Sequence, residues 1–347
     1  MTKGKILITG GLGYIGSHTV VELLNQGYEP LIIDNLSNSS LEVLDRIEQI
    51  TGTRPDFQQV EMRDKEQLQE VFWSNNNKIA GIIHFAAVLL VGESVEQPLH
   101  YYYNNLTSTI NLLECAKDFD VKSIVFSSSC TVYGNPDELP VTEQAKVKPA
   151  ISPYGNTKKI CEDILKDASL AHDISVTSLR YFNPIGAHES ALIGEFQQGP
   201  PHHLVPYITE TARGKRDKLC IWGNDWNTKD GTCVRDYIHV VDLANAHIYA
   251  LNAIMNETGK TDRYKVFNIG SGNGYSVLEM VKSFVKVTGV EVPYEFASRR
   301  AGDVEAVYAD ISKAKTELGW QPEKSLDDML LSAWQWENAL ASADNES

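Results

Sequence analysis

The run Lys5-Ile6-Leu7-Ile8-Thr9-Gly10-Gly11-Leu12-Gly13-Tyr14-Ile15-Gly16 decides how the rest of the chain is read. Ile6, Leu7 and Ile8 form a short apolar run of the kind buried on both faces in a parallel strand. The run stops at Gly10, and glycines recur at Gly13 and Gly16 before an amphipathic helical pattern begins. Gly10 permits a sharp strand-to-helix turn, Gly13 lets backbone approach a pyrophosphate, and Gly16 allows close helix packing. The helix start that follows presents unpaired N–H groups and a positive dipole end. Together these features predict a dinucleotide phosphate cradle.

Outward from the cradle, Leu31-Ile32-Ile33 ends in Asp34, about 20 residues downstream, where a carboxylate accepts hydrogen bonds from an adenosine ribose and repels a 2′-phosphate. NAD is therefore expected in preference to NADP. Strand-like runs at 79–86, 123–128 and 175–181 alternate with helical patterns at 17–26, 65–73, 107–117 and 152–171. The alternation predicts an α/β fold, a doubly wound parallel sheet with ligands at the carboxyl ends of its strands. Between Asn183 and Arg235, Gly, Pro, His and Trp become frequent, and irregular segments folding over the cofactor as a smaller lobe are expected. Helical patterns return at 240–255, 276–288, 311–318 and 326–340, with a strand at 265–269. The expected division is a Rossmann domain over 1–182, rejoined by chain around 238–270, and a mixed α/β substrate lobe over 183–347.

The 347 residues are 42% hydrophobic, ample for a core, and carry a formal net charge of -15. Such an acidic balance argues against nucleic acid or an anionic membrane as partner. The five cysteines have no close pair, so neither a zinc knuckle nor a disulfide framework is indicated, and a reducing cytoplasm is expected. No apolar run is long enough to span a bilayer. His202 and His203 are adjacent, so their side chains diverge in an extended segment, and no metal ion is expected.

Ser127-Ser128-Ser129 ends the run at 123–128, and Tyr154-Gly155-Asn156-Thr157-Lys158 opens a long helical pattern. Tyr154 and Lys158 lie four apart, so both can face one cleft. A phenol titrates near 10, and bringing it toward 7 requires roughly 4 kcal/mol of differential stabilisation. A cation about 4 Å away supplies on the order of 4 kcal/mol at an effective dielectric of about 20. Lys158 is thus expected to prepare Tyr154 as a general base for a sugar or alcohol hydroxyl, with Ser129 bonded to the same oxygen.

These stretches, with His84-Phe85-Ala86, Val91-Gly92-Glu93-Ser94 and the runs at 126–134, 180–184, 231–240 and 299–303, resemble the extended short-chain dehydrogenase/reductases nearly end to end. Within them the resemblance is to the UDP-glucose 4-epimerase family. It implies a redox-neutral cycle on a UDP-hexose. Tyr154 would take the 4′-hydroxyl proton while hydride passes to a permanently held NAD+, and the 4-keto sugar would swing over before the hydride returns. It implies a cofactor site of Gly10, Gly13, Tyr14, Ile15, Gly16, Asp34, Asn35, Glu61, Met62, Phe85, Ala86, Asn104 and Tyr181, together with Tyr154 and Lys158. It implies a UDP-sugar site of Ser129, Tyr154, Asn183, His203, Leu204, Cys220, Trp222, Arg235, Tyr237, Arg300, Asp303 and Val307. Arg235 and Arg300 can give forked hydrogen bonds to a diphosphate, and Asp303 can accept from a ribose hydroxyl.

Three positions depart from the family's pattern: Leu89 stands where many relatives have a lysine near the cofactor phosphates, His203 where an asparagine is usual, and Glu61 where an aspartate is usual. Val307 stands where relatives restricted to UDP-glucose and UDP-galactose carry a tyrosine, so N-acetylated UDP-sugars are expected as substrates too. Relatives are commonly homodimers through a four-helix contact, which the helical patterns at 101–117 and 152–171 could supply. Two other readings stand beside it: a nucleotide-sugar 4,6-dehydratase or decarboxylase, which shares the fold, the cofactor and the tyrosine, and a non-catalytic NAD-sensing protein. Related dehydratases carry an acidic pair where this chain has Cys130-Thr131, and a dead relative would be expected to lose Tyr154 or Lys158.

Overall fold

In the computed structural model, which describes residues 3–75, 78–196, 199–257, 262–300 and 303–344, the opening apolar run is a strand that turns directly into a helix. The first half of the chain runs β1 (Lys5–Thr9), α1 (Tyr14–Asn25), β2 (Glu29–Asp34), α2 (Glu42–Thr51), β3 (Asp56–Gln59) and α3 (Lys65–Asn75). It continues with β4 (Ile79–His84), α4 (Val91–Glu96), α5 (Pro98–Asp118), β5 (Ser123–Ser127), a 3-10 turn (Cys130–Tyr133), α6 (Pro153–Ala171) and β6 (Ser175–Tyr181). The second half runs β7 (Asn183–Ile185), α7 (Leu204–Ala212), β8 (Leu219–Trp222), β9 (Val234–His239), α8 (Val240–Asn256) and β10 (Tyr264–Ile269). It ends with β11 (Gly274–Ser276), α9 (Val277–Thr288), β12 (Tyr294–Ala297), β13 (Ala306–Val307), a π-helical turn (Ala314–Leu318) and α10 (Leu326–Asp344).

Seven strands form one parallel sheet in the order β10-β6-β5-β4-β1-β2-β3. Side chains alternate across it as a pleated strand requires. Ile6, Ile8 and Ile32 join Val20, Val21 and Leu243 from α1 and α8 on one face, while Leu7, Leu31 and Ile33 join residues of α3, α5 and α6 on the other. Apolar cover on both faces is what allows these strands to be continuously apolar, and it makes the sheet the expected doubly wound one. A smaller mixed sheet has β9 flanked by β11, β13 and β7, with the β8–β12 pair beside it. α7, α9 and α10 bury Ile208, Phe284, Met329 and Leu330 in that lobe's own core. No helix among the described residues is long and apolar enough to cross a membrane.

The stretch expected to be irregular, 183–235, instead contains β7, α7 and β8. Pro206 obscures the helical signal, yet it occupies the first turn of α7, where a backbone N–H has no intrahelical partner to lose. α5 starts at Pro98, earlier than its periodicity indicates, because its first turns leave Leu99 and Tyr103 exposed and so blur the apolar stripe. The expected helix at 311–318 is largely the π-helical turn, ended by Gly319 at φ 70°. β3 has no apolar run because it is the sheet's edge, half-buried at its centre only.

A methyl on Gly16 would lie 2.2 Å from the Gly10 carbonyl oxygen and 2.8 Å from the Gly11 Cα, whereas one on Gly13 would approach nothing closer than that same oxygen at 3.3 Å. Gly16→Ala is therefore expected to lower unfolding free energy by at least about 1–3 kcal/mol. Gly13→Ala should melt close to wild type. Equal melting of all three proteins in a thermal scan would show that the strand-helix approach imposes no such constraint.

Candidate active site

The cradle is built from backbone that side chains would obstruct. Gly10 has φ 68° and donates its N–H to the Ile33 carbonyl at 2.8 Å, and a Cβ there would sit 2.8 Å from the Ala86 nitrogen. The turn after β4 presses against it, with the Phe85 and Ala86 N–H groups donating to the Thr9 carbonyl. Gly13 caps α1 without a side-chain hydrogen bond, so the first helical N–H groups remain suited to an anion. Ile15 packs on the core beneath, and the Tyr14 hydroxyl donates to the Gly186 carbonyl at 2.6 Å, tying the cradle to the loop after β7.

Asp34 ends β2 with its carboxylate accepting from Leu12 N at 3.2 Å, Leu36 N at 3.0 Å and the Ser39 hydroxyl at 2.8 Å. It thereby braces the glycine turn from the side where a ribose would lie. Glu61 accepts from the Arg63 guanidinium through both oxygens, and Asn35 Nδ2 donates to it at 3.1 Å. The Arg63 hydrogen bonds hold its carboxyl at about 2, so it is a fixed anion. Met62 is buried beside it. An open glycine cradle, an uncapped helix start and a carboxylate at the end of β2 together fit a dinucleotide of the NAD type.

The catalytic candidates meet at the carboxyl end of β5. Ser152 caps α6, accepting from Gly155 N at 3.2 Å, and Pro153 occupies the first turn, so Tyr154 and Lys158 enter the site from one helical face. Both are buried. Lys158 Nζ donates to the Ser127 carbonyl at 2.8 Å, lies 4.9 Å from the Phe126 ring centre and 6.0 Å from that of Tyr154. The strand-end carbonyl thus takes the ammonium, which lies on the same side of the helix as the phenol. Burial drives the Tyr154 phenol well above its ordinary value, the Tyr181 phenol adds to this, and the Ser129 hydrogen bond works the other way. Burial also lowers the Lys158 ammonium to about 8. Tyr181 shares a 2.8 Å hydrogen bond with Ser127 and packs near His247, whose ring centre lies 4.6 Å from that of Phe85 with the planes tilted by 51°.

On the other lobe, Arg235 Nη1 donates to the carbonyls of Val234 and Val304, while Nη2 lies 3.8 Å from the Asp303 carboxylate. Arg300 donates to the same carboxylate at 2.9 Å. Two guanidinium groups therefore converge on one anion; Ala301 and Gly302 between them lie outside the described residues. Asn183 and Tyr237 are register partners on β7 and β9, and Val307 on β13 is the register partner of Arg235. Val307 is half-buried against the cluster of Val132, Tyr133 and Phe182, which Cys130 also joins. His203 precedes Leu204 at the start of α7 and is bonded through Nδ1 to Glu195 at 2.6 Å. Burial works to lower the His203 imidazole, and the Glu195 carboxylate outweighs it, leaving its pKa raised. Cys220 is half-buried on β8, and Trp222 at its end is exposed. Leu89 is exposed in the turn before α4.

Several residues that the sequence reading passed over hold this arrangement together. Asn105, next to Asn104 and accepting from its amide, clamps Val88 through both backbone groups and donates to Thr157 at 2.9 Å. It therefore fastens the turn above the cradle to α6. Glu162 accepts from the Ser128 hydroxyl at 2.5 Å and from Arg180 Nε and Nη2 at 2.9 and 2.5 Å, with both side chains buried. Arg180 lies 4.7 Å from the Tyr133 ring centre. The spacing Tyr154, Lys158, Glu162 is one helical stripe and was available as a signal; Asn105 carried none.

Residues 7–332 match the protein family described as GDP-mannose 4,6 dehydratase. A UDP-glucose 4-epimerase of Bacillus subtilis (strain 168) is 53% identical over 335 residues, 96% of this chain and 97% of that one. The UDP-glucose 4-epimerase of Stenotrophomonas maltophila, solved with bound NAD and formylated UDP-arabinopyranose, superposes with TM-score 0.93 at 44% identity, covering 98% of this chain and 99% of the other. That of Bifidobacterium longum, solved with NAD+ and UDP, gives TM-score 0.90 at 46% identity, covering 96% and 98%. Fold and site define an extended short-chain dehydrogenase/reductase working on nucleotide sugars. Within that class, the chain belongs to the UDP-glucose 4-epimerase family.

Holding Lys158 buried carries a stability penalty in the NAD-free protein. Its ammonium pKa is about 8 in the fold against 10.5 unfolded, so the folded state resists protonation and the penalty is complete below pH 8. The difference corresponds to about 3 kcal/mol at most, and the lost hydrogen bond to Ser127 would offset about 1 kcal/mol of any gain. Lys158→Met is expected to stabilise NAD-free protein at pH 7 by roughly 1–2 kcal/mol. The advantage should vanish as pH rises from 8 through 10.5, where the wild type gains stability. Denaturant titrations at pH 7 and 10 check this, and a less stable variant at pH 7 would refute it.

Proposed function

We propose that the chain interconverts UDP-glucose and UDP-galactose by oxidation and re-reduction at sugar carbon 4, retaining its NAD throughout. The observation that carries the reading is a buried Tyr154 on the same face of α6 as a buried Lys158 whose ammonium is held at the end of β5, in a chain that also builds an open glycine cradle and an Arg235–Arg300–Asp303 cluster. The backbone of Gly10, Gly13, Tyr14, Ile15 and Gly16, with Asp34 and Lys158, would hold the cofactor. Bound NAD supplies a hydride acceptor and a positive ring beside the phenol. Tyr154 takes the 4-hydroxyl proton through its oxygen and returns it at the end of the cycle, and Ser129 hydrogen-bonds the same substrate oxygen. Arg235 and Arg300, drawn together by Asp303, would exchange that carboxylate for a diphosphate, which would free Asp303 to accept from a ribose hydroxyl. Burial of Tyr154 and Lys158 excludes water from the reacting atoms.

The dehydratase reading requires an acid and a base after Ser129 to eliminate water from the oxidised sugar. Cys130 and Thr131 occupy those positions, and burial pushes the Cys130 thiol up to about 12, with the Asp236 carboxylate adding to it. Neither can do that work. Purified protein given UDP-galactose is expected to yield UDP-glucose without net release of reduced cofactor; a dehydrated keto product would favour the dehydratase, and no turnover a binding protein. Tyr154→Phe should keep its fold and its NAD while turnover falls by at least about 100-fold, and near-normal turnover would remove Tyr154 from the base role.

The partner reading is a second copy of this chain. α5 packs along α6 and exposes Leu99, Tyr103 and Ile110, an apolar face suited to another such pair. The five cysteines are all free, which suits a reducing cytoplasm. The substrate range is proposed to include UDP-N-acetylglucosamine and UDP-N-acetylgalactosamine, because Val307 beside Arg235 is small enough to leave room for an acetamido group. Val307→Tyr should abolish turnover of the acetylated pair and spare the plain pair, since overpacking a filled site costs about 1–3 kcal/mol or more. A wild type inert toward UDP-N-acetylglucosamine would refute this.

A further inference from the structure

β5 ends in Ser127 and the chain runs on through Ser128 to Ser129, and α6 holds two consecutive residues of that run by side chains one helical turn apart. Lys158 Nζ donates to the Ser127 carbonyl at 2.8 Å, and Glu162 Oε1 accepts from the Ser128 hydroxyl at 2.5 Å. Ser128 is pinned from the other side as well, its N–H donating to the Leu179 carbonyl at 2.9 Å. The next residue of β6, Arg180, completes the attachment, with Nε on Glu162 Oε1 at 2.9 Å and Nη2 on Oε2 at 2.5 Å. Its guanidinium lies over the ring of Tyr133, whose hydroxyl donates to Asn268 Oδ1 on β10 at 2.6 Å. Ser128, Glu162, Arg180 and Tyr133 are all buried.

Stability alone does not call for such a fork. Desolvating a carboxylate and a guanidinium offsets most of their attraction, and an apolar pair of similar size often replaces them at no loss. What an apolar pair lacks is register: two parallel N–H···O bonds fit at one depth and one rotation, whereas aliphatic side chains pack over a range of both. Ser128 passes that register to the strand end, since its neighbours in the chain are the residue whose carbonyl holds Lys158 and the candidate substrate contact Ser129. Tyr154 lies one turn before Lys158 on the same face of α6. The titratable groups around the Lys158 ammonium are Tyr154, His84, Cys161 and Glu162. Removing the Ser128 hydroxyl takes away none of them.

We propose that Glu162 is a positioning residue for the reaction centre: gripped by Arg180, it fixes Ser128 and so the strand end against which Lys158 and Tyr154 are set. This rests on the epimerase reading for its effect on turnover, though not for its effect on Lys158. Ser128→Ala cuts the link and leaves the Glu162–Arg180 pair intact. With UDP-glucose its kcat should fall about tenfold while KM stays within about twofold. In the same variant the Lys158 titration should move down by about half a pH unit, because a loosened carbonyl favours the ammonium less. That titration is read from the lysine Cε carbon resonances, with Lys158→Met supplying the assignment. Glu162→Gln would leave a buried guanidinium without its counter-charge, so both charges are removed together in Glu162→Leu/Arg180→Met. This pair of substitutions should melt close to wild type and still lower kcat about tenfold. Adding Ser128→Ala to it should change nothing more, because that side chain acts through Glu162. An unchanged Lys158 titration in Ser128→Ala overturns the proposal, as does wild-type kcat in the folded apolar pair, a loss confined to KM, or losses that multiply when all three substitutions are combined. A wild type that turns over no UDP-hexose would overturn the epimerase reading, while the Lys158 titration would still decide the role of Glu162.

Discussion

Between the carbonyl of Gly10 and the α-carbon of Gly16 there is no room for a methyl group, and the position of the whole first helix follows from that contact. The close approach lets α1 start directly above the end of β1, with its N-terminal N–H groups turned toward the carboxyl edge of the sheet. It also brings the turn after β4 against Gly10, so that two neighbouring strands deliver backbone to the same cradle. Every other strand of the parallel sheet ends on this edge. The candidate chemistry gathers there because a parallel sheet presents all its carboxyl ends together.

The second feature of the site is the amount of ionic and polar character placed where water cannot reach. Lys158 is buried at the loss of part of its affinity for a proton, and the Glu162–Arg180 pair is buried four residues further along the same helix. A buried pair of this kind contributes little net stability, because desolvation offsets the attraction. What it does is limit geometry. Glu162 joins α6 to the end of β5 through Ser128 and to β6 through Arg180, so the helical stripe bearing Tyr154 and Lys158 has one depth and one rotation relative to the sheet. Asn105 closes the same frame from α5.

The smaller lobe is organised around β9, which carries Arg235 and Tyr237 and pairs with three short strands. Asp303 holds two arginines, and Asp236, buried on β9, accepts hydrogen bonds from Ser271, Gly272 and Ala309. The carboxylates thus hold the positive groups and the loops of this lobe in place. Overall acidity and a site with converging arginines are compatible because the cations are local and paired.

The glycine spacing, the alternation of apolar runs and Asp34 at the end of its strand were enough to determine the parallel α/β fold and the cofactor class, and the order of Ser129, Tyr154 and Lys158 was enough to single those residues out as candidates, because each is a local signal. A buried strand must be apolar, a tight turn must be glycine, and residues four apart on a helix must share a face. Other features depended on contacts between segments distant in the chain. α7 was obscured by Pro206, and the start of α5 by an exposed face, since periodicity reports burial within the chain and not helix formation itself. The partner of the Lys158 ammonium is the Ser127 carbonyl, which lies 31 residues away in sequence. That the backbone of Gly155 lies against Thr131, bringing the 3-10 turn onto the first turn of α6, was decided only by tertiary packing, because close approach belongs to the set of neighbours and not to any residue alone.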